Sequence, residues 1–139
     1  MRFARLIGLA VAITFVASGL AMAQSGAVVE TGTFHGVVHK TTGRATIYDT
    51  SNGHVLRLTH FTTSNGPNLH VLLIAANDAQ DDENFLTKKI ERVDLGSLKG
   101  NEGDQNYTIP AGTDLSKYKA VSIFCEHFDA NFGTAPLER

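Results

Sequence analysis

The sequence contains no tryptophan, one cysteine and two methionines. Both methionines, Met1 and Met22, lie in an N-terminal stretch that we expect to be removed, so no thioether would remain as an axial ligand. This argues against blue-copper sites of the ordinary kind and against His/Met haem ligation. A Cys-x-x-Cys-His run is also absent, which excludes covalent attachment of a c-type haem.

Several enzyme motifs are missing as well. The chain has no Gly-x-Ser-x-Gly elbow, no glycine-rich phosphate loop leading into a helix, and no His-Glu-x-x-His pair. Its formal net charge of −2 offers no basic surface for nucleic acid or for an anionic membrane. These absences favour a redox accessory domain or a binding domain over a stand-alone enzyme, and they predict no nucleic-acid partner.

The N-terminus has the pattern of an export signal. The basic segment Met1–Arg5 is followed by Leu6–Leu20, which carries no charge, and then by the small-x-small motif Ala21-Met22-Ala23. The uncharged run is shorter than the roughly 20 residues of a membrane-spanning helix. We therefore expect a signal peptide at residues 1–23 and a mature chain that begins at Gln24, is exported to the periplasm or beyond, and has no membrane span.

Short alternating or β-branched runs, bounded by Gly, Asn, Asp and Pro, dominate residues 24–139. They predict a single all-β domain, an antiparallel sandwich or barrel of about eight short strands with no helix beyond one or two turns. The candidate strands are Thr33–Val38, Arg44–Tyr48, His54–Phe61, Leu69–Ala75, Ile90–Leu95, Asn106–Ile109, Val121–Cys125 and Phe132–Leu137. One core is expected to contain Leu58, Phe61, Leu69, Val71, Leu73, Ile109, Val121 and Ile123.

Turn residues separate these runs. Asn52-Gly53 predicts a hairpin with a type I′ turn, since both residues tolerate positive φ. The acidic stretch Ala76–Asn84 is predicted to be a solvated loop with a helical turn at Glu83–Lys88; it lacks the ligand order of an EF-hand calcium loop. Thr113–Tyr118 is predicted to form one capped helical turn.

The order of several motifs resembles the DM13 domain family from about Gly32 to Leu137. The motifs are Gly43-Arg44-Ala45-Thr46-Ile47, Leu56-Arg57-Leu58, Gly66-Pro67-Asn68-Leu69, Leu95–Pro110, Phe124-Cys125 and Phe132-Gly133-Thr134-Ala135. The resemblance implies an extracytoplasmic all-β domain that takes part in electron transfer or oxidative modification. Its nearly invariant cysteine, a bare thiol or a ligand to a prosthetic group such as haem, falls on Cys125. Two positions depart from the family pattern: Phe124 stands where many relatives have tryptophan, and Asn68 where aspartate is usual.

Cys125 is the main candidate site residue, because a lone cysteine in an exported chain cannot form an internal disulfide. If its strand stays regular through Glu126, Cys125 and His127 lie on one face, where an imidazole would activate the thiol. The pair could also bind a metal ion, and His70 is the next candidate ligand because it follows the Gly66–Leu69 motif. For His35, His39 and His60 we expect structural or surface positions.

Two functions compete at this point. In the first, the chain is a redox domain that acts on an unknown redox partner or cell-envelope protein, with Cys125 reachable by a small reagent or bound to haem or a metal ion. In the second, it is a non-catalytic binding module whose loops around Gly66-Pro67 and Asp78–Asn84 engage a partner. Cys125 then packs as a small hydrophobe and His127 faces solvent.

Overall fold

The computed structural model describes residues 26–79 and 90–139, which form nine strands. The strands are β1 (Ala27–Thr33), β2 (His35–Gly36), β3 (Thr42–Thr50), β4 (Gly53–Thr62), β5 (Leu69–Ile74), β6 (Arg92–Ser97), β7 (Gln105–Thr108), β8 (Ala120–Cys125) and β9 (Ala130–Pro136). The expected signal peptide and the helical turn predicted at Glu83–Lys88 lie outside the described residues.

The strands build two antiparallel sheets that pack as a sandwich rather than closing into a barrel. One sheet has the order β1-β3-β4-β7, and the other has the order β2-β9-β8-β5-β6. This confirms the all-β prediction. Within the described ranges there is no helix, so none is long and apolar enough to cross a membrane. At Thr113–Tyr118 the chain makes a single turn, in which the Lys117 amide donates to the Asp114 carbonyl over 3.1 Å.

The space between the sheets holds the main core. Alternating residues of each strand point into it, because successive side chains of a strand face opposite sides of the sheet. All the core residues predicted from the sequence belong to this one cluster: Leu58, Phe61, Leu69, Val71, Leu73, Ile109, Val121 and Ile123. The prediction of the core is therefore confirmed.

The five-stranded sheet is also buried on its outer face. A second apolar cluster there contains Leu72, Ile74, Ala79, Ala120 and Phe124. Burial on both faces explains why β5 and β8 are nearly continuous apolar runs rather than alternating ones. Phe124 remains a buried core position in place of the family's tryptophan, and it stacks under the Arg92 guanidinium, 5.4 Å from the ring centroid.

Two local predictions need correction. The hairpin between β3 and β4 forms where predicted, but only Gly53 has positive φ (103°), whereas Asn52 does not. A turn at Ser51-Asn52 followed by such a glycine fits the type I turn with a G1 bulge, not type I′. The predicted strand Thr33–Val38 shrinks to His35–Gly36, and β1 before it was missed.

Glu30 of β1 is a buried charge that links the two sheets. Its side chain is 1% exposed, and neither carboxylate oxygen has a hydrogen-bond partner. The compensating charges are Lys119, directly before β8, whose Nζ lies 3.6 Å away, and Arg139, whose Nε lies 3.9 Å away. Because β1 and β8 belong to different sheets, this pairing ties one layer of the sandwich to the other.

Candidate functional site

Cys125 is the last residue of β8 and lies at one end of the sandwich. It pairs with Leu69 of β5 on one side and with Ala130 of β9 on the other. Its side chain points into the main core and has no exposed surface. The structure therefore places the thiol inside the protein, whereas the redox interpretation of the sequence expected a sulfur within reach of a small reagent.

The thiol nevertheless has a polar neighbour that lies at the surface. Its Sγ donates a hydrogen bond to the Pro67 carbonyl oxygen over 2.9 Å. Pro67 and Asn68 are exposed, as are residues 126–129 of the turn between β8 and β9. The two turns are joined directly, because the Glu126 amide donates to the Asn68 carbonyl over 3.1 Å. Cys125 thus lies beneath a surface cover made of two turns, 66–68 and 126–129.

The predicted pairing of Cys125 with His127 on one strand face is wrong, because β8 ends at Cys125. His127 lies in the turn that follows, where it is exposed and its ring meets the ring of Phe128 edge-on at 4.8 Å. Among the described residues, no hydrogen bond joins His127 to Cys125. Residues i and i+2 share a face only within a strand. Because the strand ends before His127, the spacing of the two residues does not place them on one face.

His70 also lies apart from the thiol, on the other side of the sheet. It pairs with Phe124, whose side chain belongs to the outer cluster, whereas Leu69 and Cys125 face the main core. The His70 Nδ1 atom lies 2.9 Å from an Asp94 carboxylate oxygen, and Nε2 lies 3.0 Å from Asn68 Oδ1. Asn68 stands where the family usually has aspartate, so this departure changes a direct neighbour of His70.

Glu126 completes a group of possible metal ligands on the outer face. The ligand atoms of His70, Asp94 and Glu126 all lie within 4.8 Å of one another. The three residues come from β5, β6 and the turn after β8, so strand order brings them together. Nothing in the linear spacing of Asp94 or Glu126 marked them as partners of His70. His127, the other predicted metal ligand, is not in this group.

The remaining histidines do not converge on Cys125. His35 Nε2 lies 2.7 Å from Asp78 Oδ1. Burial lowers the pKa of His35, but the hydrogen bonds to Asp78 and to the Gly36 carbonyl, together with the charge of Asp78, outweigh it and leave the pKa above its usual value. The His39 ring packs against Phe132 with centroids 4.2 Å apart. His60 is exposed, with a positive φ of 50°. These are the structural and surface positions that the sequence predicted.

A haem or a metal ion bound through Cys125 does not fit this arrangement. The sulfur has no exposed surface, and its one polar contact is a backbone carbonyl. The nearest cluster of candidate ligands, around His70, lies on the opposite face of the sheet. A haem ligated by this thiol would have to displace the packed residues around it.

The geometry defines a class: an antiparallel β-sandwich with one thiol buried at the end of a central strand beneath two surface turns. A family model described as electron transfer DM13 matches residues 33–137. The chain belongs to this family, which confirms the resemblance seen in the sequence. No curated protein and no solved structure shows a significant match to the chain.

Proposed function

We propose that this chain is an exported electron-transfer domain that works through the Cys125 thiol, which a redox partner reaches when the cover of turns 66–68 and 126–129 opens locally. The family supports the electron-transfer role. The N-terminal pattern of residues 1–23 supports export. The position of the sulfur beneath surface turns, rather than deep in the sandwich, supports the thiol as the working group.

The chemistry that suits such a thiol is exchange with a disulfide of the partner. The Cys125 proton leaves to water, and the thiolate attacks one sulfur of the partner disulfide. A new S–S bond forms between the two chains as the partner's other sulfur leaves as a thiolate. If that thiolate attacks the partner sulfur of the mixed disulfide, the first step is reversed. If the thiol of a third molecule attacks the same sulfur, the Cys125 thiolate leaves and a disulfide joins the partner to the third molecule. Each step consumes one disulfide and one thiolate and forms one of each, so it needs no oxidant beyond the partner's disulfide.

The observation that carries the proposal is the hydrogen bond from Sγ to the Pro67 carbonyl. A thiolate has no proton to donate, so this bond must break before the sulfur can attack a disulfide. Moving the 66–68 turn breaks the bond and uncovers the sulfur in one motion. Asn68 and Asp129, one in each turn, have positive φ values of 56° and 50°, a region that Asn and Asp adopt more readily than other non-glycine residues and that is typical of turns.

Mixed-disulfide formation tests the proposal. The folded protein, incubated with oxidised glutathione and no denaturant, should form a mixed disulfide and release one glutathione thiol per chain, as measured by intact mass and a thiol assay. Cys125→Ser should form none while keeping the same far-ultraviolet circular dichroism and unfolding midpoint within a few degrees. Absence of any mixed disulfide in the folded wild type, with formation on unfolding, would refute the proposed exchange.

A second candidate function is the non-catalytic binding module, and the complete burial of Cys125 is the observation that favours it. Free cysteines commonly pack as small hydrophobes. In that case the exposed Phe128, which is 61% exposed in the turn between β8 and β9, would serve a partner contact, and Cys125 would only fill the core. The glutathione experiment separates the two functions, since a packing thiol stays unmodified in the folded state.

A further inference from the structure

The His70, Asp94 and Glu126 cluster carries more negative than positive charge. Two carboxylates lie within 4.8 Å of one imidazole, and that imidazole supplies at most one positive charge. In the part of the chain that the structure describes, neither Asp94 nor Glu126 forms an ion pair with a lysine or an arginine. Among the described residues, no lysine or arginine balances the second carboxylate.

The two ring nitrogens of His70 both face side-chain oxygens. Nδ1 approaches the Asp94 carboxylate, and Nε2 lies 3.0 Å from Asn68 Oδ1. A neutral imidazole has one N–H donor and one lone pair. In the tautomer whose Nε2–H donates to Asn68 Oδ1, the Nδ1 lone pair faces the Asp94 carboxylate, and a cation between the two would be bound by both. The ring is held in this orientation, since the His70 side chain is only 19% exposed.

We infer that His70, Asp94 and Glu126 bind a divalent cation of the first transition row, such as Zn²⁺. One imidazole nitrogen with two carboxylates is a mixed donor set, and imidazole favours Zn²⁺ over Mg²⁺ or Ca²⁺. The partial exposure of Asp94, 47% for its side chain, leaves room for water to complete the coordination. The site is separate from the thiol, because it lies on the outer face of the sheet.

Such an ion would hold the two turns that cover Cys125 in their closed position, an effect we call the lock. Its ligands come from β5, from β6 and from the turn 126–129, so it would tie that turn to two strands. Glu126 is already joined through its amide to Asn68, whose neighbour Pro67 holds the thiol. Displacing the turn 126–129 would break the coordination, and moving the turn 66–68 would break its link to the Glu126 amide. This regulatory role depends on the proposed thiol function, whereas the metal site itself does not.

Calorimetric titration with ZnCl₂ alone tests the site. Performed in the Cys125→Ser background, it excludes the thiol as a ligand. We expect one saturable site per chain, weakened at least about tenfold by Glu126→Gln or His70→Gln. Glu102→Gln, an exposed carboxylate outside the cluster, is the matched control and should bind like its parent. No saturable binding, or equal binding in the Glu126→Gln protein, would overturn the inference.

The lock is tested by alkylating Cys125 in the folded protein with N-ethylmaleimide. With free Zn²⁺ about ten times above its Kd, modification should slow about tenfold in the wild type and in Glu102→Gln. In Glu126→Gln, which keeps the thiol but loses a ligand, it should slow no more than about twofold, because at least tenfold weaker binding leaves the site at most half occupied. Protection of the full tenfold in Glu126→Gln would mean that Zn²⁺ binds the sulfur, and would overturn the lock. A folded wild type that never reacts would refute the thiol function, while the calorimetry would still decide the metal site.

Discussion

Gly66→Ala should speed the alkylation of Cys125 in the folded protein by about 10- to 100-fold. A Cβ atom at Gly66 would lie 2.8 and 2.9 Å from two ring carbons of Phe132 and 3.2 Å from Leu69 Cδ2. Phe132 and Leu69 are core residues, so the new methyl group would push the 66–68 turn outward. Overpacking of this kind costs about 1–3 kcal/mol. Opening the turn relieves that strain, and each 1.4 kcal/mol is worth about a factor of ten in the open population.

Gly100→Ala is the matched control for this experiment. The nearest atom to a Cβ there is the Glu102 carbonyl oxygen at 3.5 Å, which is an ordinary contact. The control should leave the alkylation rate unchanged, with both rates measured by mass spectrometry under identical conditions. Equal rates for Gly66→Ala and the wild type, with the variant folded, would show that the 66–68 turn does not limit access to the sulfur.

Lys119→Met should lower the free energy of unfolding by about 2–3 kcal/mol, measured by urea denaturation. The substitution leaves the buried Glu30 carboxylate with only Arg139, which is 72% exposed and 3.9 Å away. Removing one partner of a fully buried ion pair typically costs about 3–5 kcal/mol. The expected loss is smaller because Lys119 is itself 35% exposed and water screens the pair.

The double variant Glu30→Met/Lys119→Met tests whether the loss comes from an unpaired buried charge. With neither charge of the pair present, it should regain most of the free energy of unfolding that Lys119→Met loses, or exceed the wild type. Lys117→Met is the control, since Lys117 and Glu91 form an exposed pair, 46% and 56% exposed, and such pairs contribute about 1 kcal/mol or less. A Lys119→Met loss no larger than that of Lys117→Met would show that Glu30 does not depend on Lys119.

Burial of the thiol has a consequence for its chemistry. A permanently exposed thiolate is oxidised by small oxidants to sulfenic and then to irreversible acids. Cys125, with no exposed surface and its proton held by Pro67, is protected from that damage at rest. A partner that engages the turn 126–129, where His127 and Phe128 are exposed, would favour the open cover and reach the sulfur faster than a small oxidant that depends on spontaneous opening. The cover would then confer selectivity as well as protection.

The sequence predicted the sandwich and its core well, because alternation and turn residues are local signals. Two of its errors, the missed β1 and the shared face expected for Cys125 and His127, have local causes too. β1 was missed because Glu30 and Gly32 interrupt its apolar pattern, and the structure buries Glu30 against a lysine that is distant in sequence. The residues after Cys125, Glu126-His127-Phe128, include neither glycine nor proline, so no such turn residue marked the end of β8.

The site was only partly predictable for a different reason. Cys125 stands out in the sequence as the one cysteine, and His70 through its position after a turn motif. The grouping of His70 with Asp94 and Glu126 depends on the order β8-β5-β6. That order is a tertiary property, set by which strands pair across long connections rather than by any spacing along the chain. The same holds for the contact between the thiol and Pro67, two residues that are 58 positions apart.

The most direct test of the account is the rate of Cys125 alkylation in the native state as urea is added below the unfolding transition. If the cover opens locally, the rate should be nearly independent of urea at low concentrations, because opening two turns exposes little surface. At higher urea concentrations the alkylation rate should rise steeply, with the urea dependence of global unfolding. A rate that follows the global unfolding free energy and its full urea dependence at every concentration would contradict the account, since the thiol would then be reached only when the sandwich unfolds.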